Sequence, residues 1–530
     1  MRSVRDLIII LASKVVNKRK LTIKPEAKTR STQSPRFLDR VGLGGFPWLQ
    51  AIALYTISFG WLYTVRDSYW SADWENFVFP ELTTFDFDTL GFAPWLKANL
   101  ILYEVLGPSF MRLLIFLCFF SAGIFLYGIS QKFDFLSLAE RRILALLFLI
   151  LPFNTARVAL MVFHYSEAYF FFFCGWYLLV TFRSPAIKYF CLILFFLSFQ
   201  MHSMLFFYLL PIAHLFFLSK TRNLLGHFRW LISNSVFLVL PFLYWTLRTL
   251  YWPEQVAYHN VTTGVIGSSL NALAIALAIG AGLYYLWRRV DLKYRPSVLV
   301  ILTGFIVLFV GIYPYILYGF FGANRSMPIL YLTTFLGRTS WYTRHQILQP
   351  LGISLVIIGS VKYFEIMVGR AFQRWHHLVL FVCVIFNVGF GFEHVVDYSK
   401  QKEIISQLKI TDKSQSKNYY QFLDQTRGLN ARGQTMYYRA WSGLIGLAYD
   451  SDEAGRIKIE TNCIKREDAR LVLIAGPDTH WQAFKNWMSD GDMGFKVLVD
   501  DTPKACEPEM VKSEKVSGVI PILFYFTGVD

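Results

Sequence analysis

Residues 187–219 read IKYFCLILFFLSFQMHSMLFFYLLPIAHLFFLS, one nearly unbroken apolar run. A helix needs roughly 20 apolar residues to cross a bilayer, so the run is too long for one crossing and barely long enough for two. Gln200, His202 and Ser203 interrupt it and predict a turn between two short helices, 187–202 and 204–219. One tilted helix instead would invert the sidedness of everything downstream. The basic residues Arg288, Arg289 and Lys293 would then lie outside, against the preference of Lys and Arg for cytoplasmic loops. Two helices therefore fit better.

Working outward, further apolar segments fall at 47–65, 110–129, 143–163, 166–183, 230–250, 264–287, 297–319, 347–369 and 377–396, which makes eleven in all. The first 45 residues carry 11 Lys and Arg against 3 acids, whereas the loop at 66–98 has 6 acids and 2 basic residues. Basic before the first span and acidic after it predicts a retained cytoplasmic arm, with residues 7–16 as a short interfacial helix, and an outside first loop. The later cytoplasmic turns keep the alternation, with Lys132, Arg141 and Arg142, then Arg183 and Lys188, Lys220 and Arg222, and Arg370 and Arg374.

Composition agrees. Of 530 residues, 55% are hydrophobic and only 17% charged. That excludes a disordered chain and argues against one large soluble domain. The net charge of +16 is no nucleic-acid signal, because residues 397–530 hold 18 basic and 19 acidic residues, leaving a balance of +17 among the spans. Span-flanking Lys and Arg orient helices and meet anionic lipid heads. The expected fold is a polytopic α-helical membrane protein of about 11 transmembrane helices. Its small extracytoplasmic C-terminal α/β domain, 397–530, has strands at 457–461, 470–475, 495–499 and 519–526 and a helix at 479–488. Cys463 and Cys506 form an even pair there, compatible with one disulfide, while Cys118, Cys174, Cys191 and Cys383 fall in spans as small apolar filler.

Polar residues at membrane depth or at its rim are costly and mark function. Three outside segments collect them. In the first loop, Asp67, Asp73 and Glu75 stand among Tyr69, Trp70 and Trp74, with Asp86 and Asp88 further on. A carboxylate beside apolar surface is a candidate general base, and acids two apart can share a divalent cation, although none is required. In the second, Arg157, His164 and Glu167 gather where two spans meet, with His164 and Glu167 spaced to pair on one helix face. In the third, Arg325, Arg338, Arg344 and His345 lie outside, against the positive-inside trend. Arginine forks match phosphate oxygens, so a lipid phosphate is the expected partner.

Other signals are structural in character. Lys362 and Glu365 are spaced to pair, and His202 and His214 are expected to bond neighbouring backbone. Asn260 and Asn324 fit the glycosylation pattern, and no zinc, P-loop or dinucleotide spacing occurs.

This layout resembles the GT-C class of membrane glycosyltransferases, with an inside N-terminus, many spans, an acidic first outside loop and an extracytoplasmic tail. It departs from the adjacent acids common in that class, because Trp74 separates Asp73 from Glu75. The resemblance implies sugar transfer from a polyprenyl-phosphate donor to an acceptor glycan, lipid or protein. That reaction inverts the anomeric carbon, with a first-loop acid as base and Arg325, Arg338 or Arg344 on the departing phosphate. A setting in a bacterial inner membrane and a role in building cell-envelope polysaccharide follow as expectations. Two rivals stand beside it. One is a polymerase or ligase of lipid-diphosphate-linked polysaccharide using Arg157, Arg338, Arg344 and His345. The other is a lipid or glycan transporter, against which the absence of an internal repeat counts.

Overall fold

The computed structural model describes most of residues 41–500. Outside the described residues lie 1–37, 39–40, 77–87, 256–284, 318–343, 412–418, 450–457, 461–468 and 501–530, with shorter gaps between. The expected span at 264–287, the strand at 519–526, the cysteine pair, the two glycosylation patterns and the interfacial helix at 7–16 all fall there.

The described chain is mostly helical. Helices α1 (Trp48–Phe59) and α2 (Trp61–Thr64) precede a one-turn helix α3 (Asp73–Asn76). Helix α4 (Lys97–Ser130) breaks at Gly107, whose φ of 74° only glycine adopts cheaply, followed by Pro108. Then come α5 (Leu138–Ile150), α6 (Phe163–Thr181), α7 (Pro185–Ser198), α8 (Ser203–Phe207) and α9 (Leu209–Leu218). The run at 187–219 is thus broken at 199–202, and its two halves are separate helices.

Helices α10 (Leu224–Ser233) and α11 (Ser235–Tyr251) meet at a 49° bend, and α12 (Arg295–Leu317), α13 (Gln349–Val368) and α14 (Trp375–Ile410) complete the bundle. Four of these, α4, α12, α13 and α14, are long and apolar enough to cross a membrane, and the bent pair makes a fifth. The chain is therefore an integral membrane protein by helix length and composition. Helix length alone does not carry the expected count of eleven.

Three expectations are corrected. The segment 143–163 is not one helix. Pro152 disfavours helix at Leu151, α5 stops after 13 residues, and the chain turns through left-handed Asn154 (φ 56°) into 3₁₀ turns at Thr155–Val158 and Leu160–Val162. The last span does not end at 396. α14 runs unbroken to Ile410, 36 residues or about 54 Å, so the first fourteen residues assigned to the tail continue the bundle. Lys362 and Glu365 do not pair with each other. Lys362 Nζ reaches Glu140 at 2.6 Å, and Glu365 faces His376 Nδ1 at 3.6 Å.

The tail is a four-stranded sheet of order β2-β1-β3-β4, built from β1 (Tyr419–Asp424), β2 (Lys458–Glu460), β3 (Ala469–Ala475) and β4 (Lys496–Asp500). β1 pairs parallel with β2 and β3, and β4 closes antiparallel on β3. Helices α15 (Tyr438–Tyr449) and α16 (His480–Asp490) pack with it. Three strands and α16 lie where hydropathy puts them. The central β1 does not announce itself, because YYQFLD is short and half polar.

α12 and α13 pack by close backbone approach, as helices in lipid do. A Cβ on Gly352 would lie 2.8 Å from the Gly304 carbonyl oxygen and 2.6 Å from Leu308 Cγ. Gly352→Ala should therefore lower stability by about 1–3 kcal/mol through overpacking. Gly389→Ala on α14, where a Cβ meets nothing within 4 Å, should not. Thermal unfolding in detergent micelles checks the pair.

Candidate functional site

Polar side chains converge where the first loop, the starts of α4 and α6, the turn at 199–202 and the far half of α14 meet. The geometry begins with residues 151–162, a non-helical stretch that is buried except at Met161, which is partly buried. Backbone N–H and C=O groups enclosed in this way need partners, and the two short 3₁₀ turns bond only some of them to each other, which leaves the rest to find partners elsewhere. Five side chains supply them. Asn387 Nδ2 donates to Ile150 O at 2.6 Å. Asn154 N–H donates to Gln346 Oε1 at 3.3 Å. Arg157 donates to Phe153 O (2.9 Å) and Asn154 O (3.1 Å). Arg112 donates to Val158 O, and Met161 N–H donates to Asp73 Oδ1 at 2.8 Å.

Arg112 is the hub. Fully buried, it also gives hydrogen bonds to Val65 O (2.6 Å), Arg66 O (2.7 Å) and Ser68 O (2.7 Å), and so joins the end of α2 and the first loop to the 3₁₀ turns. Asp73 Oδ2 accepts from Trp70 N–H at 3.1 Å, which leaves both of its oxygens engaged by backbone. Burial pushes the Asp73 carboxyl up to about 6, against the pull of Arg112 and the N–H groups of Met161, Leu160 and Trp70.

Asp67 differs. It is half exposed at the rim, with Ser109 Oγ donating to Oδ1 at 2.7 Å and Arg66 Nε to Oδ2 at 3.4 Å. Asp67 and Asp73 thus have separate partners, and the side chain of Glu75, two residues from Asp73, lies outside the described residues. Glu75 lies in α3. Asp88 pairs with Lys97 at 2.8 Å, and Asp86 lies outside the described residues. Among the described residues no group of three His, Cys, Asp or Glu side chains converges.

The second cluster is rearranged. Glu167 Oε2 accepts from Asn99 Nδ2 at 3.0 Å rather than pairing with His164. Gln200 accepts from Trp95 Nε1 and donates to the His164 carbonyl oxygen, both at 3.0 Å. Arg157 lies between the rings of Phe59 (4.0 Å) and Phe119 (4.5 Å), and among the described residues it forms no ion pair. It lines a small pocket with Asn154, Tyr169, Ile347 and Pro350. Of the third group only Arg344 is described, buried just ahead of α13, while Arg325, Arg338 and His345 lie outside the described residues. His214 Nδ1 accepts from Trp176 Nε1 at 3.0 Å rather than bonding backbone, and His202 meets the Trp245 ring edge-on.

The far half of α14 closes this end. Gln401 bonds both the N–H (3.3 Å) and the C=O (3.0 Å) of Tyr69. One turn earlier in the helix, Asp397 accepts from Ala431 N–H. Fully buried Lys400 donates to Asp424 Oδ2 (2.6 Å) and Asn430 Oδ1 (2.7 Å). Reading the sequence passes over Arg112, Asn387, Lys400 and Gln401. A charge at 112 beside an apolar run, and an amide at 387 within one, are the signals that mark them.

No protein-family model matches the chain, and no curated protein or solved structure is significantly similar to it.

Arg112→Leu should leave the carbonyls of Arg66, Ser68 and Val158 short of a donor, at about 1–3 kcal/mol each, while Val65 O keeps the N–H and hydroxyl of Ser68, and should abolish the monodisperse folded fraction in size-exclusion chromatography. Arg112→Lys, with three N–H donors, should recover part of it. The pH dependence of Asp73 also has a definite sign. Its folded value lies above the ordinary 3.8, so the native state binds more protons, and its contribution to stability falls as pH rises from about 4 to 6. That loss, on the order of 3 kcal/mol, should vanish from the melting curves of Asp73→Asn.

Proposed function

We propose that the protein is a membrane glycosyltransferase of eleven spans, with its N-terminus cytoplasmic and its tail extracytoplasmic. It moves a sugar from a polyprenyl-phosphate donor to an acceptor hydroxyl on the outer face. The observation that carries this reading is the Asp67 carboxylate, half exposed at the rim and held by one hydroxyl and one guanidinium, just after α2. Asp73, enclosed with both oxygens on backbone N–H groups, fixes the loop from which Asp67 projects.

Asp67 takes the proton of the acceptor hydroxyl as that oxygen attacks the anomeric carbon. The bond from the anomeric carbon to the phosphate oxygen breaks on the opposite face, which inverts the centre, and the lipid phosphate leaves with the electron pair. Arg325, Arg338 or Arg344 stabilises its charge. No metal is needed for these steps, and the tail and first loop together frame the acceptor.

The test is mass spectrometry of polyprenyl-linked lipids from cells with the wild-type protein, without it, and with Asp67→Asn or Asp73→Asn at matched protein level. Loss of a general base slows transfer by about 10²- to 10⁴-fold, so a polyprenyl-phosphate monosaccharide should accumulate in the deletion and in Asp67→Asn. Accumulation of a diphosphate-linked oligosaccharide instead would favour the polymerase or ligase acting through Arg157, Arg338, Arg344 and His345. An unchanged profile would overturn both enzyme readings and leave the transporter.

A further inference from the structure

The tail helix α16 carries an apolar face that nothing in the described chain fully covers. At 100° per residue, Trp487, Phe484, Met488 and Trp481 fall on one contiguous arc, while Gln482, Asn486, Ser489 and Asp490 fall on the other side and Lys485 sits at the boundary. Trp481, Trp487 and Met488 are 45%, 47% and 65% exposed. The two indoles and Phe484 form one continuous ring cluster, with centroids 5.4 and 6.2 Å apart. Helix α16 is anchored along one edge of this arc, where Ala483 is buried in a small core with Val396, Leu429, Met493 and Phe495, and at its first turn, where His480 is buried within the arc itself.

Position gives this face a meaning. On α14 the exposed side chains Leu378, Phe381, Val382 and Val388 trace one stripe at helical spacing, the surface a spanning helix turns to lipid. Phe392 continues that stripe one turn beyond Val388, and there the ring of Phe484 meets it edge-on, centroid to centroid 5.6 Å. Exposed Trp375 marks the opposite end of the stripe. The 17 helical steps from Trp375 to Phe392 span about 26 Å, close to the roughly 30 Å of a hydrocarbon core. Phe392 therefore lies at the far edge of that core, immediately before the polar turn of Glu393 and His394. The α16 arc, seated on it, lies at headgroup depth, where Trp side chains concentrate and Lys can reach lipid phosphate.

We propose that α16 is an interfacial helix, with Trp481, Phe484, Trp487 and Met488 seated in the acyl–headgroup boundary of the leaflet at this end of the bundle and Lys485 among the phosphates. The tail then rides on the membrane surface beside the bundle. A domain standing clear in solvent would leave the face bare.

The test uses the full chain in lipid nanodiscs, with its six cysteines replaced by alanine and an environment-sensitive NBD dye placed at Met488→Cys or, as control, at Ser489→Cys. At 488 the emission should shift to the blue and be quenched by lipid carrying a doxyl group near the headgroup, by about twofold or more relative to 489. Equal quenching at the two positions would overturn the proposal. So would a blue shift at 488 without doxyl quenching, which would put the face against protein. The unmodified chain gives an independent measurement by hydroxyl-radical footprinting in nanodiscs. Met488 should oxidise about as slowly as buried Met493, despite its exposure in the chain, and oxidation about tenfold faster would overturn the proposal.

Discussion

The constraint at the centre of this bundle's polar end is that the backbone of residues 151–162 must be satisfied. Once α5 stops at Ile150, the chain makes two 3₁₀ turns in an enclosed setting where water cannot solvate its amides. Asn387, against the end of α5, stands about 18 Å along α14 from Trp375, which puts that end within the thickness of a hydrocarbon core. An unpaired amide at that depth costs several kcal/mol, so non-helical backbone survives there only where protein surrounds it. Arg112, Arg157, Asp73, Gln346 and Asn387 come from four other parts of the chain and from the turn itself. The polar residues gathered here are held first by this demand. The proposed chemistry uses what projects from the resulting frame.

That distinction separates acids the sequence could only group. Asp67 and Asp73 read alike, six residues apart among aromatics. In the fold one accepts from a hydroxyl and an arginine at the rim, and the other joins Trp70 to Met161. Likewise Arg157, which reads as a phosphate ligand, binds the carbonyls of its own turn and two phenyl rings. A buried guanidinium with carbonyl partners is a fastening. A carboxylate at a rim is an available base.

Much of the architecture was legible because its causes are local. Apolar length, the break at Gln200 to Ser203, and the short apolar strands at 470–475 and 495–499 each follow from a few neighbouring residues. The end of α5 had a local cause as well, Pro152, but the continuous hydropathy of 143–163 masked it. The extension of α14 had a distant one. Asp397 and Lys400 read as part of a soluble domain, and their partners, Ala431, Asp424 and Asn430, hold them enclosed in the continuing helix. In the candidate site the rim acids could be found by composition. Arg112, Lys400 and Gln401 could not be ranked, because their worth lies in carbonyls and amides tens to hundreds of residues away.

The bond between Gln401 and Tyr69 closes a loop of 332 residues. Chains emerge at about 5–20 residues per second, so the first loop is complete roughly 15 to 70 seconds before its clamp is made. Through that interval Tyr69 keeps its backbone groups on water or on a temporary partner, and the loop's final shape waits on α14. Assembly of the bundle therefore ends where it began, with its last long apolar helix, α14, fixing the conformation of the loop made first. A chain cut short before residue 401 would carry every acid proposed for catalysis and lack the contact that orders them.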